Sequence, residues 1–189
     1  MILTVFGSSS PRTPDTYLAA ARELGRLAVA AGWQVRTGAG KDGCMGAVTD
    51  AVIAAGGTVD GVILRLFLDQ GLAHDRLASL RVAEDMRSRK RLLIEGADAC
   101  IALPGGPGTW EELWELAVQR QIGAVRLPFV ALDVAGCFAP FRTMLARADA
   151  DGLLYGPPSE LLEFADDAAS ALRMLGMPDP ADLERSVPP

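Results

Sequence analysis

The sequence predicts an α/β fold: one domain built on a doubly wound parallel sheet with helices on both faces. Three observations carry that expectation. Short apolar runs alternate with longer amphipathic stretches along the 189 residues, the pattern of successive βαβ units. The run Asp98–Leu103 is apolar after its first residue, as a central strand covered on both faces must be. Glycine-rich loops follow three of the predicted strands, and no internal repeat or linker divides the chain. A chain of this length forms one domain that buries about 70% of its unfolded surface.

The first strand is Ile2–Phe6, and Gly7-Ser-Ser-Ser10 with Pro11 forms the loop after it. Thr13 or Asp15 can cap a helix running to about Ala31, with Gly32 in the C′ position that favours glycine. Trp33–Thr37 is the second strand. The loop Gly38-Ala-Gly-Lys-Asp-Gly43 leads into a helix of small residues through Ala54, which Gly56-Gly57 ends; Thr58–Leu64 is the third strand. Arg65–Leu80 has weak periodicity and is expected to be a variable loop with at most a short helix. Then follow a helix over Glu84–Gly96, the strand Asp98–Leu103, the loop Pro104-Gly-Gly-Pro-Gly108, and a helix from Thr109 to about Gln121. Pro128–Leu132 is a strand, Phe138–Ala148 a helix, Leu161–Phe164 the last strand and Asp166–Leu175 the last helix. The domain is expected to end at 176, and the proline- and acid-rich residues 177–189 to be a flexible tail.

Composition limits the chemistry. Half of the residues are apolar and 22% are charged, which excludes a disordered or fibrous chain. Eighteen basic against 24 acidic residues leave a net charge of −6, which argues against nucleic-acid or anionic-membrane partners. No basic n-region precedes a signal-like core, and no apolar run reaches the length of about 18 residues that spans a bilayer. Cys44, Cys100 and Cys137 lack CxxC spacing, so a reduced, cytoplasmic location is expected. His74 is the single histidine, so a two-histidine metal site is impossible and no metal is expected. Lys41 and Lys90 are the two lysines; the other basic residues are arginines, suited to forked anion recognition.

In doubly wound sheets, ligands bind outside the carboxyl ends of the strands. The loop Gly38-Ala-Gly40-Lys-Asp-Gly43 matches G-x-G-x-x-G, but it follows the second strand, and Asp60 falls inside the next strand instead of at its end. Glycines for a tight turn and close helix packing therefore explain it better than dinucleotide binding. The stronger signal is Pro104-Gly105-Gly106-Pro107-Gly108-Thr109-Trp110-Glu111-Glu112. Its glycines let the backbone wrap an anion at a helix N-terminus, with the Thr109 hydroxyl beside it. Thr109-x-x-Glu112 also matches a capping box, which accounts for the two side chains but not for the glycines. A second signal is the basic run Arg87 to Arg91 behind Met86. Met86 and Lys90 share a helix face, whereas Arg89 and Lys90 fan apart.

Met86-x-x-Arg89-Lys90 followed by Pro104-Gly-Gly-x-Gly-Thr109-x-x-Glu112 resembles the paired motifs of the LONELY GUY (LOG) family. These are cytokinin riboside 5′-monophosphate phosphoribohydrolases, often mislabelled lysine decarboxylases. The likeness extends to Gly7-Ser8-Ser9 and to Gly43-Cys-Met45-Gly46. It implies a Rossmann-like homodimer that hydrolyses the N-glycosidic bond of a nucleoside 5′-monophosphate, without a cofactor, to free base and ribose 5-phosphate. It further implies that Arg89 and Glu112 are catalytic. Gly7, Ser8, Ser9, Gly43, Met45, Gly46, Met86, Lys90, Gly105, Gly106, Gly108 and Thr109 would line the site for substrate and phosphate.

The residue inventory agrees with that chemistry. An oxocarbenium-like transition state calls for one carboxylate, and a departing base is stabilised by a guanidinium that keeps its proton. Pyridoxal-phosphate chemistry would need Lys41 or Lys90 for a Schiff base. The other alternative is a non-catalytic nucleotide or molybdenum-cofactor carrier on the same scaffold. Ala39 stands where the family has glycine, and is expected to narrow the ligand's approach. Trp110 and Trp114 stand where the family has smaller aliphatic residues. They are read as core or dimer-interface residues, with base stacking as the alternative.

Overall fold

The structure, a computed structural model, describes residues 1–176; the expected tail at 177–189 lies outside the described residues. Seven strands form one sheet, β1 (Ile2–Phe6), β2 (Gln34–Thr37), β3 (Val59–Leu64), β4 (Ser79–Ala83), β5 (Ala99–Ala102), β6 (Phe129–Leu132) and β7 (Glu163–Ala165). All are parallel, in the order β4-β3-β2-β1-β5-β6-β7. Among the described residues seven α-helices lie between the strands, α1 (Asp15–Ala30), α2 (Gly43–Ala54), α3 (Arg65–Asp69), α4 (Met86–Ile94), α5 (Pro107–Gln121), α6 (Ala139–Ala150) and α7 (Pro158–Leu161), and an eighth, α8 (Ala168–Met174), follows β7. The chain winds outward from β1 to β4 and then returns to β5 on the other side of β1. The switch of direction therefore lies between β1 and β5, where a crevice opens at the carboxyl ends.

Period-two alternation divides the core between the two faces. Leu3 and Val5 of β1 belong to the cluster under α1, α2 and α8, which includes Leu24, Val48 and Leu172. Phe6 points the other way, into the cluster of Leu93, Leu113 and Phe129 that α4 and α5 cover. No helix among the described residues is long and apolar enough to cross a membrane.

Several expectations are corrected. β4 was not anticipated: it is an edge strand paired only with β3, and Ser79 and Arg81 break its apolar pattern. The α1 cap is Pro14; neither Thr13 nor Asp15 caps it, since the Thr13 hydroxyl donates to Ser10 O at 2.7 Å and faces Ser8 Oγ at 2.8 Å. Gly32 does take the left-handed conformation expected at C′, with φ +77°. Leu161 lies in the short helix α7, which starts at Pro158, and β7 begins only at Glu163. Asp60 sits near the start of β3 and accepts from Gln34 Nε2 and Ser79 Oγ at 2.9 and 2.6 Å. It is remote from any ribose at the carboxyl ends, which removes the acid a dinucleotide site would need.

Candidate active site

Three loops meet over the switch point because main-chain groups tie them together. Ser8 N donates to Pro104 O, and Met45 N donates to Ser8 O, each at 3.0 Å. The second tie needs Gly43 and Gly46. Gly43 takes φ +63°, and a Cβ there would stand 2.5 Å from Ser8 O; a Cβ on Gly46 would stand 2.1 Å from Lys41 O. The sequence motif at 43–46 thus serves to bring α2 against its neighbours, and neither glycine lines the cleft. Gly46→Ala drives a side chain into fixed backbone and is expected to destabilise the protein by roughly 3 kcal/mol. Chemical denaturation with an unchanged m-value checks it.

The cleft itself is lined by Gly7, Ser8, Ser9, Met45, Met86 and Arg89, and across from them by Gly106, Gly108, Thr109 and Glu112. Of the expected site residues, these ten come together. Gly105 is half-buried and does not line this cleft; a Cβ there would fall 2.1 Å from Thr109 Oγ1, so its bareness lets buried Thr109 pack against the turn. Helix α5 starts at Pro107 with Gly106 as N-cap and no side-chain cap. Pro107 lacks an N–H and Trp110 N returns to Gly106 O at 3.0 Å, leaving the N–H groups of Gly108 and Thr109 toward the cleft, where the helix dipole favours an anion. The capping box does not form, because the helix begins two residues before Thr109 and Glu112 is engaged elsewhere.

Glu112 is engaged by Arg89. Both are buried, and Arg89 Nη1 donates to Glu112 Oε1 at 3.1 Å. The same guanidinium donates through Nε to Val62 O at 3.3 Å and through Nη2 to Gly38 O at 3.5 Å. Burial pushes the Glu112 carboxyl up to about 7, while the Arg89 charge and hydrogen bond pull the other way. A carboxyl poised there, in a crevice, beside a fixed cation, is the kind of group that functional sites hold.

Sequence reasoning missed two participants. Gly38 makes room for Arg89: a Cβ there would stand 2.3 Å from Nη2. Gly38→Ala is expected to displace the guanidinium and lower turnover at least tenfold while leaving the thermal midpoint within a few degrees, readable from kinetics and a melting curve on one sample. Phe67 enters the cleft from α3, the short helix at the start of the segment expected to be a variable loop with at most a short helix. With Ile63, Leu72 and Met45 it also walls a recess beside Arg89 and Gly38. The sequence signal was faint, one aromatic residue in a weakly periodic stretch.

Other expectations place differently. Lys90 does not reach the cleft; its Nζ is held by Glu111 at 2.8 Å and by Glu115, which raise its pKa. One position on from Arg89, it is turned about 100° around the helix and braces α4 to α5. Ala39 adopts φ +65° with its methyl fully buried, and it lines neither cleft nor recess, so it does not narrow the ligand's approach. Trp114 stacks on Phe141 at 5.4 Å, and Trp110 meets the same ring at 6.1 Å. They line neither cavity, and their rings pack α5 against Phe141 of α6.

Fold and cleft together define a doubly wound α/β protein with an anion-favouring helix terminus and a buried Arg–Glu pair at its topological switch point. The family model described as "Possible lysine decarboxylase" matches residues 45–175. A probable cytokinin riboside 5′-monophosphate phosphoribohydrolase of Oryza sativa is 34% identical over 185 residues, covering 98% of this chain and 72% of the relative. A cytokinin riboside 5′-monophosphate phosphoribohydrolase of Arabidopsis thaliana is 34% identical over 169 residues, covering 89% and 77%. The chain belongs to this family, the LOG family that its motifs resemble.

Among solved structures, the molybdenum cofactor carrier protein of Chlamydomonas reinhardtii superposes with a TM-score of 0.69 at 23% identity, covering 98% of each chain. The molybdenum cofactor binding protein of Rippkaea orientalis gives 0.68 at 18% identity over 93% of this chain and 94% of its own. These likenesses establish the Rossmann-like fold.

The decarboxylase description does not suit the residues. A Schiff-base lysine must lose its proton readily, whereas two carboxylates keep Lys90 charged and Lys41 Nζ donates to Gly71 O at 2.7 Å on the surface. Burial also pushes the Cys44 thiol up to about 11, so it is a poor nucleophile.

Proposed function

We propose that this protein is a nucleoside 5′-monophosphate phosphoribohydrolase, cleaving the N-glycosidic bond of an AMP-like or cytokinin nucleotide to free base and ribose 5-phosphate. The observation that carries the reading is the buried Arg89–Glu112 pair, 3.1 Å apart, in the same cleft as the α5 N-terminus. The 5′-phosphate binds at the N–H groups of Gly108 and Thr109, which sets the ribose along α5 toward Glu112, one turn further in. As the C1′–N bond lengthens, the Glu112 carboxylate offsets the positive charge on C1′ and takes a proton from the attacking water. The water oxygen bonds to C1′, and the bond's electron pair leaves with the base, which Arg89 stabilises by hydrogen bonding and which takes up the proton relinquished by the site. The relatives' printed activities and the family membership support this reading. Purified protein is expected to release free base from a panel of AMP, CMP and a prenylated adenosine monophosphate; intact nucleotides throughout contradict it.

The raised pKa of Glu112 gives a pH dependence with a definite sign. Only the carboxylate form is active, so kcat/KM of the free enzyme is expected to rise through a pH of about 7 and level off above it. The nucleotide phosphate ionises near pH 6 and contributes a separate limb; Glu112→Asp should shift only the upper one. Stability runs the opposite way. A carboxyl raised in the folded state contributes stability that is complete below its unfolded pKa and is lost as pH rises through about 7.

We further propose a homodimer formed on the outer side of α5 and α6. Trp110 and Val118 of α5, Ile122 just after it and Met144 of α6 stand exposed there by 42%, 51%, 64% and 50%, an apolar surface that a second copy would cover. Light scattering at micromolar concentration tests it: a dimer mass supports the proposal, and a monomer contradicts it.

A further inference from the structure

Helix α4 carries Arg89 to Glu112, and its two ends are held in different ways. At the start, the Asp85 side chain accepts from Ser88 N at 2.8 Å. At the far end the helix rests over a polar row that crosses the sheet in register, from Cys100 through Thr4, Arg36 and Asp60 to Ser79. Arg36, on β2 in the middle of that row, is 5% exposed. Its Nη1 donates to Glu95 O at 2.6 Å and to Leu93 O at 3.2 Å, with Leu92 O at 3.5 Å. Thr4 Oγ1 adds a bond to Leu93 O at 2.7 Å, and Arg81 Nη2 one to Leu92 O at 2.8 Å.

The chemistry of Arg36 is unusual for a buried arginine. Among the described residues no carboxylate lies within ion-pair distance of it, and its Nε has no hydrogen-bond partner. Burial, and after it the neighbouring Arg81, weigh against its charge, while Asp60, Cys100 and Glu95 offset part of that. A methionine would fill the same space without that desolvation cost. What the guanidinium adds is a set of charge-assisted bonds to carbonyls at the negative end of the α4 dipole. Leu93 lies one turn beyond Arg89, so the anchored carbonyls and the working side chain are parts of one short rigid element.

We propose that Arg36 is a positioning residue for the Arg89–Glu112 pair: by holding the carbonyls of Leu92, Leu93 and Glu95, it fixes how far the Arg89 guanidinium reaches toward Glu112. The proposal deepens the phosphoribohydrolase reading and rests on it. It assigns to β2, outside the cleft, a share in setting the catalytic geometry, where a displacement of about 1 Å can cost on the order of 10²-fold in rate.

Steady-state base release and its pH profile test the proposal in Arg36→Met and Arg36→Lys. In Arg36→Met kcat is expected to fall at least tenfold with KM changed by less than about twofold, and the Glu112 limb to move to higher pH as Arg89 draws back. Arg36→Lys, which keeps a donor and a charge at the carbonyls, should recover part of both. Wild-type kcat and an unmoved limb in Arg36→Met overturn the proposal, even in a less stable protein. If Arg36→Met does not fold, Arg81→Met, which removes only the bond to Leu92 O, is expected to shift the limb in the same direction by less. An unmoved limb there, together with full activity in Arg36→Lys, also overturns it. If wild type itself releases no base, the phosphoribohydrolase reading fails. The Glu112 titration, followed by carboxyl carbon NMR in wild type and variant, then decides the positioning role alone.

Discussion

Glu112→Gln is expected to reduce base release by about 10²–10⁴-fold, with KM for the nucleotide nearly unchanged. The amide keeps the shape of the carboxyl and can still accept from Arg89 Nη1, which stands 3.1 Å from Glu112 Oε1. What it lacks is the negative charge that offsets the oxocarbenium and the capacity to take a proton from water. Phosphate binding at the α5 N-terminus does not involve this group, so the loss falls on kcat. The upper limb of the pH profile should vanish with it, since Glu112 is the carboxyl raised to about 7 by burial. A variant that retains wild-type turnover removes Glu112 from the mechanism.

Arg89→Met is the second large effect, and it has two parts. Turnover should fall by about 10²–10³-fold, because the departing base loses its hydrogen-bond donor. Stability should fall too, and by an amount that depends on pH. Removing one member of a buried ion pair costs about 3–5 kcal/mol when the remaining charge cannot adjust. Here it can: with the Arg89 charge gone, burial drives the Glu112 carboxyl further above 7, and it binds a proton. The native state then retains that proton to higher pH than the unfolded chain does, so the stability deficit relative to wild type should be small at pH 6 and grow toward pH 8. Urea denaturation at the two pH values measures this directly; a deficit that does not change with pH would show that Glu112 is not the group responding.

Much of this organisation was legible in the sequence because it rests on local signals. The βα alternation, the apolar strand before Pro104 and the glycine loops are set by periodicity and by the special backbone needs of glycine. They placed the α5 terminus and Glu112 at the carboxyl ends of the strands, and the motif pair that resembles the LOG family brought Arg89 to the same crevice. What was not legible depends on how neighbours share space. β4 is an edge strand with one partner, and polar Ser79 and Arg81 hide its period. Lys90 was expected in the site because the resembling motif Met86-x-x-Arg89-Lys90 contains it, but helical rotation carries it to Glu111 and Glu115. Gly43, Gly46 and Gly105 read as ligand-facing glycines, whereas the close approaches they allow are to Ser8, Lys41 and Thr109. Gly38 read as a turn residue, and its missing side chain gives the Arg89 guanidinium its space. Arg36 gave no signal, since a lone arginine in a strand acquires its meaning only from the carbonyls of a helix more than fifty residues away.

The most direct test of the central claim is product identification. Wild-type protein is incubated with AMP at pH 8, and adenine, adenosine, inorganic phosphate and ribose 5-phosphate are quantified by chromatography. The account predicts adenine and ribose 5-phosphate in equal amounts, with neither adenosine nor phosphate, and release from Glu112→Gln lower by about 10²-fold or more. Adenosine with inorganic phosphate, or the same release of adenine from Glu112→Gln as from wild type, would contradict it.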